Sequence, residues 1–128
     1  MNLNFISLIG VIIALSGVII ESIADIQMSK FKLIPSNKGK LMDKGLWQFS
    51  RHPNYFGDSL FWWGVFIFSY GYTSNLLIII SPIIMTYFLM RVSGVTLLER
   101  QLRHKKEGYE EYINNTSSFI LMPKKNKK

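Results

Sequence analysis

Two long stretches without charged side chains set the architecture. Residues 1–20 contain none, and neither do the 32 residues from Ser59 to Met90. Runs of that length and apolarity are bilayer material. At about 1.5 Å per residue, a helix of the second run would reach about 48 Å, well past the roughly 30 Å hydrocarbon core, so the run must fold back. The polar stretch Gly71-Tyr72-Thr73-Ser74-Asn75 is the turn signal inside it. The pattern predicts three spans, about Leu3 to Ile23, Tyr55 to Tyr72 and Leu76 to Gly94. The expected fold class is all-α integral membrane: three transmembrane helices with short cytoplasmic interfacial helices, in one domain over residues 1–123, and a basic tail at 124–128.

Weaker signals fill in the connections. Pro35, Gly39 and Gly45 punctuate an irregular link between the first two spans. Pro82 falls in the middle of the third, where it should kink the helix and free a carbonyl. Beyond it, Leu97 to Lys106 and Gly108 to Asn114 have helical spacing, with Leu98, Leu102, Tyr109, Tyr112 and Ile113 as apolar anchors for interfacial helices.

Charge adds an orientation. The formal net charge is +7, and all fifteen cations fall between spans one and two or from Arg91 onward, with none at the Gly71 to Asn75 turn. The positive-inside rule then places the N-terminus outside and the C-terminus in the cytoplasm. Topology thereby accounts for the basic pI, leaving no reason to expect a nucleic-acid partner; the lipid bilayer is the expected surroundings. The first span has no Lys or Arg before it and no small-residue cleavage site after it, which favours a retained helix over a signal peptide. The chain has no cysteine, which excludes disulfides, thiolate metal sites and a Cys nucleophile, and no metal site is predicted.

Ionisable groups at membrane depth are the first place to look for chemistry, because burying one costs several kcal/mol. Glu21 and Asp25 share a helix face at the inner end of span one, where they are either a functional pair or a boundary pair answering Lys30 and Lys32. Asp58, near the start of span two, reads either as a helix-start capping carboxylate or as an acid set beside Phe61, Trp62 and Trp63. Arg91 reads as a functional cation or as one that snorkels. The densest constellation is Arg51-His52-Pro53-Asn54-Tyr55-Phe56-Gly57-Asp58. Pro53 can open a helix, Asn54 can cap or accept, Gly57 permits a close approach, and Arg51 and His52 supply cationic donors where a phosphate would sit.

The stretch Gly45-Leu46-Trp47-Gln48-Phe49-Ser50-Arg51-His52-Pro53-Asn54-Tyr55-Phe56-Gly57-Asp58, followed by Trp62-Trp63-Gly64, resembles the signature of bacterial membrane proteins related to steroid 5-alpha-reductases. Ala24-Asp25-Ile26-Gln27 with Phe31-Lys32 and Asn37-Lys38-Gly39-Lys40 upstream fits the same family. So does Arg91-Val92-Ser93-Gly94-Val95 through Leu98-Glu99, Gly108-Tyr109 and Tyr112 downstream. The resemblance implies an NADPH-dependent reductase of a conjugated carbon-carbon double bond in a hydrophobic, lipid or steroid-like small molecule, sited in a bacterial inner membrane. By position it assigns Asp25, Lys32, Arg51, His52, Asn54, Tyr55, Arg100 and Tyr109 to NADPH, and Asp58, with Asn54, to catalysis. Asp58 stands where the steroid reductases have a glutamate that hydrogen-bonds the substrate carbonyl, and it is one methylene shorter.

The family has several further N-terminal helices that wall the substrate pocket. The resemblance therefore implies a truncated or split member, completed by a separate N-terminal-half subunit or by homo-oligomerisation. Isoprenylcysteine carboxyl methyltransferases share an Arg-His-Pro-x-Tyr-x-Gly core and a Gly-x-x-Tyr-x-x-Tyr tail, and that alternative would use S-adenosylmethionine. Asn54, Asp58 and the Ala24 to Gln27 segment favour the reductase. A non-catalytic membrane subunit is the third reading.

Overall fold

The computed structural model describes residues 4–92 and 108–124. Arg100, the Leu97 to Lys106 helix, the far end of the third span at Gly94 and most of the basic tail lie outside them. Every regular element among the described residues is helical.

Helix α1 spans Phe5–Leu33 and α2 spans Pro53–Thr73. At its start, Asn4 accepts the Ser7 N–H at 2.8 Å through Oδ1, satisfying one of the orphan donors of a helix N-terminus. The helix runs ten residues beyond the expected Ile23 limit, because no proline or glycine interrupts it between Gly17 and Leu33. It stops at Ile34, whose extended backbone (φ −87°, ψ 113°) is what a following proline demands. Lys30 and Lys32 in its last turn sit favourably against the helix dipole. Two short 3₁₀ turns, Pro35–Asn37 and Gly45–Gln48, carry the chain to α2.

Pro53 opens α2 at the position where its missing N–H costs nothing. The helix continues through Gly71, so the expected turn contracts to Ser74 and Asn75. Ser74 takes the left-handed conformation (φ 51°) and Asn75 Oδ1 accepts the Leu77 N–H at 3.1 Å. A 3₁₀ turn (Leu76–Ile79) leads into α3 (Ile80–Tyr87), which passes into a π-helical stretch at Phe88–Val92. Pro82 was expected to kink mid-span. It lies instead in the first turn of α3, just after the change of helical type, where a missing donor is best tolerated.

α1 and α2 form an antiparallel hairpin with a seam of small residues. Gly10 and Gly17 of α1 meet Gly64 and Gly57 of α2 so closely that a Cβ on any of the four has no room, and Ala14 packs against Gly64. A Cβ at Gly64 would lie 2.6 Å from the Gly10 carbonyl, and one at Gly57 would lie 2.6 Å from the Glu21 nitrogen. Gly71 closes the far end, where Asn4 Nδ2 donates to its carbonyl and the buried Ser7 hydroxyl donates to the Phe68 carbonyl at 3.0 Å. The seam repeats every seven residues on each helix (Gly10 and Gly17; Gly57, Gly64 and Gly71), the period that keeps one face on its partner. α3 docks on α2 through Thr86, whose Oγ1 pairs with Ser59 Oγ at 2.8 Å and accepts the Trp63 indole N–H at 2.9 Å.

The outward faces are apolar and uncovered: Ile9, Ile12, Leu15 and Ile19 on α1, and Ile80, Ile83, Ile84 and Tyr87 on α3. Among the described residues, α1 is the one helix long and apolar enough to cross a membrane by length and composition. The Leu76–Arg91 stretch is apolar but shorter.

Candidate functional site

At the hairpin end away from Ser74, the last turns of α1, the basic connection and the start of α2 enclose a cavity of about 910 Å³. Its wall is built by a second layer of chain. Residues 109–122, which begin with the short helix α4 (Tyr109–Asn115), run back across residues 47–52 as a strap. The Arg51 N–H donates to the Ser117 carbonyl at 2.8 Å and the Met122 N–H to the Phe49 carbonyl at 3.0 Å. The Ser50 hydroxyl donates to the Phe119 carbonyl at 2.6 Å, and Arg51 Nε donates to the Thr116 carbonyl at 3.2 Å. Tyr112 reaches the same segment from the side, its hydroxyl 2.5 Å from the Trp47 carbonyl and 3.2 Å from that of Ser50. Tyr109 and Tyr112 were expected to anchor an interfacial helix. They are buried instead (3% and 7% exposed), because the 47–52 segment offers carbonyls that a membrane surface would not.

The other wall is tied to α1. Trp47 is buried, its indole N–H donates to the Ala24 carbonyl at 3.1 Å, and the Leu46 N–H donates to Gln27 Oε1 at 3.0 Å. These bonds hold the connection over the end of α1 although it has little regular structure of its own.

Of the residues singled out from sequence, Asp25, Lys32, Arg51, His52, Asn54 and Tyr109 all line the cavity. Asn54 Nδ2 donates to Asp25 Oδ1 at 3.3 Å, joining the two helices at its floor. Tyr55 is not a lining residue; it stacks on His52 with ring centroids 5.5 Å apart and planes within 6°. His52 itself is 1% exposed. Lys38 and Lys40 also line the cavity, so its lining holds four cations and one carboxylate together with Phe31, Trp47, Tyr109 and Tyr112. Arg100 lies outside the described residues.

Asp58 does not reach the cavity lining. It sits one turn beyond Asn54 on α2 and is half-buried, and Glu21, one turn before Asp25 on α1, lies within Coulombic reach of both Asp58 and Asp25. Two polar rungs therefore cross the hairpin a turn apart: Asp25 with Asn54 at the cavity floor, and Glu21 with Asp58 one step into the apolar half. Asp58 is also no cap. The N-cap of α2 is His52, and the first turn holds no acidic residue. Sequence reasoning missed Ser50, whose small hydroxyl carries no distinguishing pattern, and the partnership of Trp47 with Ala24.

The family model described as protein of unknown function (DUF1295) matches residues 1–116. The Delta(14)-sterol reductase of Ascobolus immersus is 32% identical over 102 residues, which make up 79% of this chain and 21% of that protein. The chain thus spans about a fifth of the length of the curated relative it matches. No solved structure matches the chain.

Proposed function

This chain belongs to the DUF1295 family, and from that membership we propose that it is the nicotinamide-cofactor half of a membrane-embedded, NADPH-dependent reductase acting on a conjugated carbon-carbon double bond in a steroid-like or other lipid substrate. The sequence similarity to a sterol reductase supports the reaction class and the kind of substrate. The observation that carries the cofactor assignment is the lining of the cavity. Lys32, Lys38, Lys40 and Arg51 oppose the single carboxylate of Asp25 among aromatic walls, which suits a polyanion with flat rings. The volume of about 910 Å³ falls in the usual range for cofactor sites, on the order of 300 to 1,000 Å³. S-adenosylmethionine, a sulfonium cation, complements such a lining poorly.

NADPH would supply the hydride to the conjugated carbon. This chain's residues would hold its phosphates through Arg51, Lys32, Lys38 and Lys40, with Asn54 and Asp25 fixing the polar floor. Asp58, one turn deeper and out of the cofactor's wall, would hydrogen-bond the substrate carbonyl as enolate charge develops. A partner, either a separate N-terminal-half subunit or a second copy, would supply the remaining wall of the substrate pocket.

The bilayer reading rests on the apolar outward faces of α1 and α3 and on the one-sided cations. Three crossings would put Ser74 outside and the cavity on the cytoplasmic side of a bacterial inner membrane. Single cysteines at Ser74 and Ser117 should then label from opposite faces of sealed vesicles, and labelling of both from one face would sink the three-span topology.

The functional test is binding in nanodiscs. The chain should bind NADPH more tightly than S-adenosylmethionine. Preference for S-adenosylmethionine would establish the methyltransferase reading, and binding of neither would leave a non-catalytic subunit.

A further inference from the structure

Between Arg51 and His52, which line the cavity, and the strap that crosses behind them stands one small side chain. Ser50 is fully buried, and its hydroxyl is used twice: it donates to the Phe119 carbonyl at 2.6 Å and accepts the His52 N–H at 3.0 Å. The Ser50 carbonyl in turn lies 3.2 Å from the Tyr112 hydroxyl, which also reaches the Trp47 carbonyl. His52 is the N-cap of α2, but its side chain makes no capping hydrogen bond, and the Ser50 hydroxyl satisfies its N–H at the entry to the helix. Arg51 is pinned on either side of this point, by its N–H to Ser117 and by its Nε to Thr116.

We infer that Ser50 and Tyr112 are positioning residues: they form a clasp that fixes Arg51 and His52 in the cavity and so sets its affinity for an anionic dinucleotide. The affinity part of this inference rests on the dinucleotide reading above. Ser50 is not a lining residue and acts through its neighbours, whereas Tyr112 also forms part of the cavity wall. The clasp's two hydroxyls satisfy buried backbone groups on segments more than 60 residues apart, and losing either removes one of the bonds that, beside those of Arg51 to Ser117 and Thr116, place this irregular segment.

The test uses the full chain in nanodiscs, with NADPH as the probe, and compares Ser50→Ala, Tyr112→Phe and a control, Ser59→Ala. The control also deletes a half-buried hydroxyl pair, the one with Thr86 on the α2–α3 contact, but touches neither the strap nor the cavity. Ser50→Ala and Tyr112→Phe should each raise the NADPH dissociation constant by about tenfold, the equivalent of one buried hydrogen bond. Both should also speed hydrogen–deuterium exchange across residues 47–56. Ser59→Ala should lower the melting temperature while leaving both readouts at wild-type values. If Ser50→Ala binds NADPH as Ser59→Ala does, in a wild type that binds it, the positioning role falls. If the wild type itself binds no NADPH, the dinucleotide reading fails, and exchange alone decides the clasp: faster exchange at residues 47–56 in Ser50→Ala sustains it, and unchanged exchange overturns it.

Discussion

The two ends of the α1–α2 hairpin solve opposite problems with opposite chemistry. Along the body of the hairpin the helices meet through the absence of side chains: Gly10, Gly17, Gly57 and Gly64 bring backbone against backbone, with hydrogen bonds from Asn4 and Ser7 added toward Ser74. At the other end the helices are joined by Asn54 and Asp25 and overlaid by a connection and strap held through side-chain hydroxyls, an indole and an amide. The seam is continuous and leaves no room. The cup is discontinuous and encloses a volume. The lesson is that the seam supplies a rigid base, and rigidity there is what allows the cup to be assembled from irregular chain without collapsing.

Substitutions should separate the two regions, and the largest effect belongs to the seam. Gly64→Leu puts a branched side chain where a Cβ already lies 2.6 Å from the Gly10 carbonyl. Overpacking of that kind costs typically about 1 to 3 kcal/mol and more when backbone must separate, so melting in detergent should drop sharply and cofactor binding should go with it. Ile12→Leu, on the uncovered face of α1, should do neither. A Gly64→Leu variant with unchanged melting would show that the hairpin is not what supports the cup.

Asp58→Asn comes next. Loss of a hydrogen bond made to developing oxyanion charge costs about 3 to 4 kcal/mol, so turnover in an active preparation should fall on the order of a hundredfold to a thousandfold, with NADPH affinity nearly unchanged. Full activity would remove Asp58 from the mechanism. A capping role is no longer available to explain a change, since Asp58 lies beyond the first turn of α2.

Arg51→Ala should show the reverse split. The NADPH dissociation constant should rise roughly tenfold to a hundredfold, in line with about 1.5 to 3 kcal/mol for a charge-assisted bond, while turnover at saturating NADPH changes less. Isothermal titration before kinetics would check it, and a loss of turnover without a loss of affinity would exchange the roles of Arg51 and Asp58. The smallest effect is screening. Lys32, Lys38 and Lys40 are exposed, so raising ionic strength from about 0.05 to 0.5 M should weaken NADPH binding several-fold and leave the melting of the glycine seam unmoved.

Local punctuation made α2 legible to within two residues: the expected Tyr55 to Tyr72 forms as Pro53–Thr73, because proline and turn residues act within a few positions. The end of α1 was harder to read, since Asp25 to Lys32 is polar enough to mark a membrane boundary yet wholly compatible with helix. Those are different physical limits, and hydropathy reports only the first. Gly71 was misread as a turn residue because a glycine that frees the backbone and one that clears space for a neighbouring helix look alike in a sequence; only its seven-residue spacing from Gly64 and Gly57 distinguishes it. The lining of the cavity by Asp25, Lys32, Arg51, His52, Asn54 and Tyr109 followed from a family resemblance and not from spacing, since the resemblance reports which residues recur together while their juxtaposition arises from non-local bonds. The strap was invisible for the same reason: a serine hydroxyl on a carbonyl 69 residues away leaves no periodic trace.

That strap also gives the molecule a clock. Tyr112 closes on Trp47 across 65 residues of sequence, and at about 5 to 20 residues per second a ribosome needs roughly 3 to 13 s to deliver the second after the first. For that interval the nascent chain already holds Arg51, His52 and the start of α2 but has nothing to clasp them. The strap over the cavity therefore closes only after Tyr112 has emerged, and a chain released before it would hold the hairpin without the bonds from Tyr112 to Trp47 and Ser50.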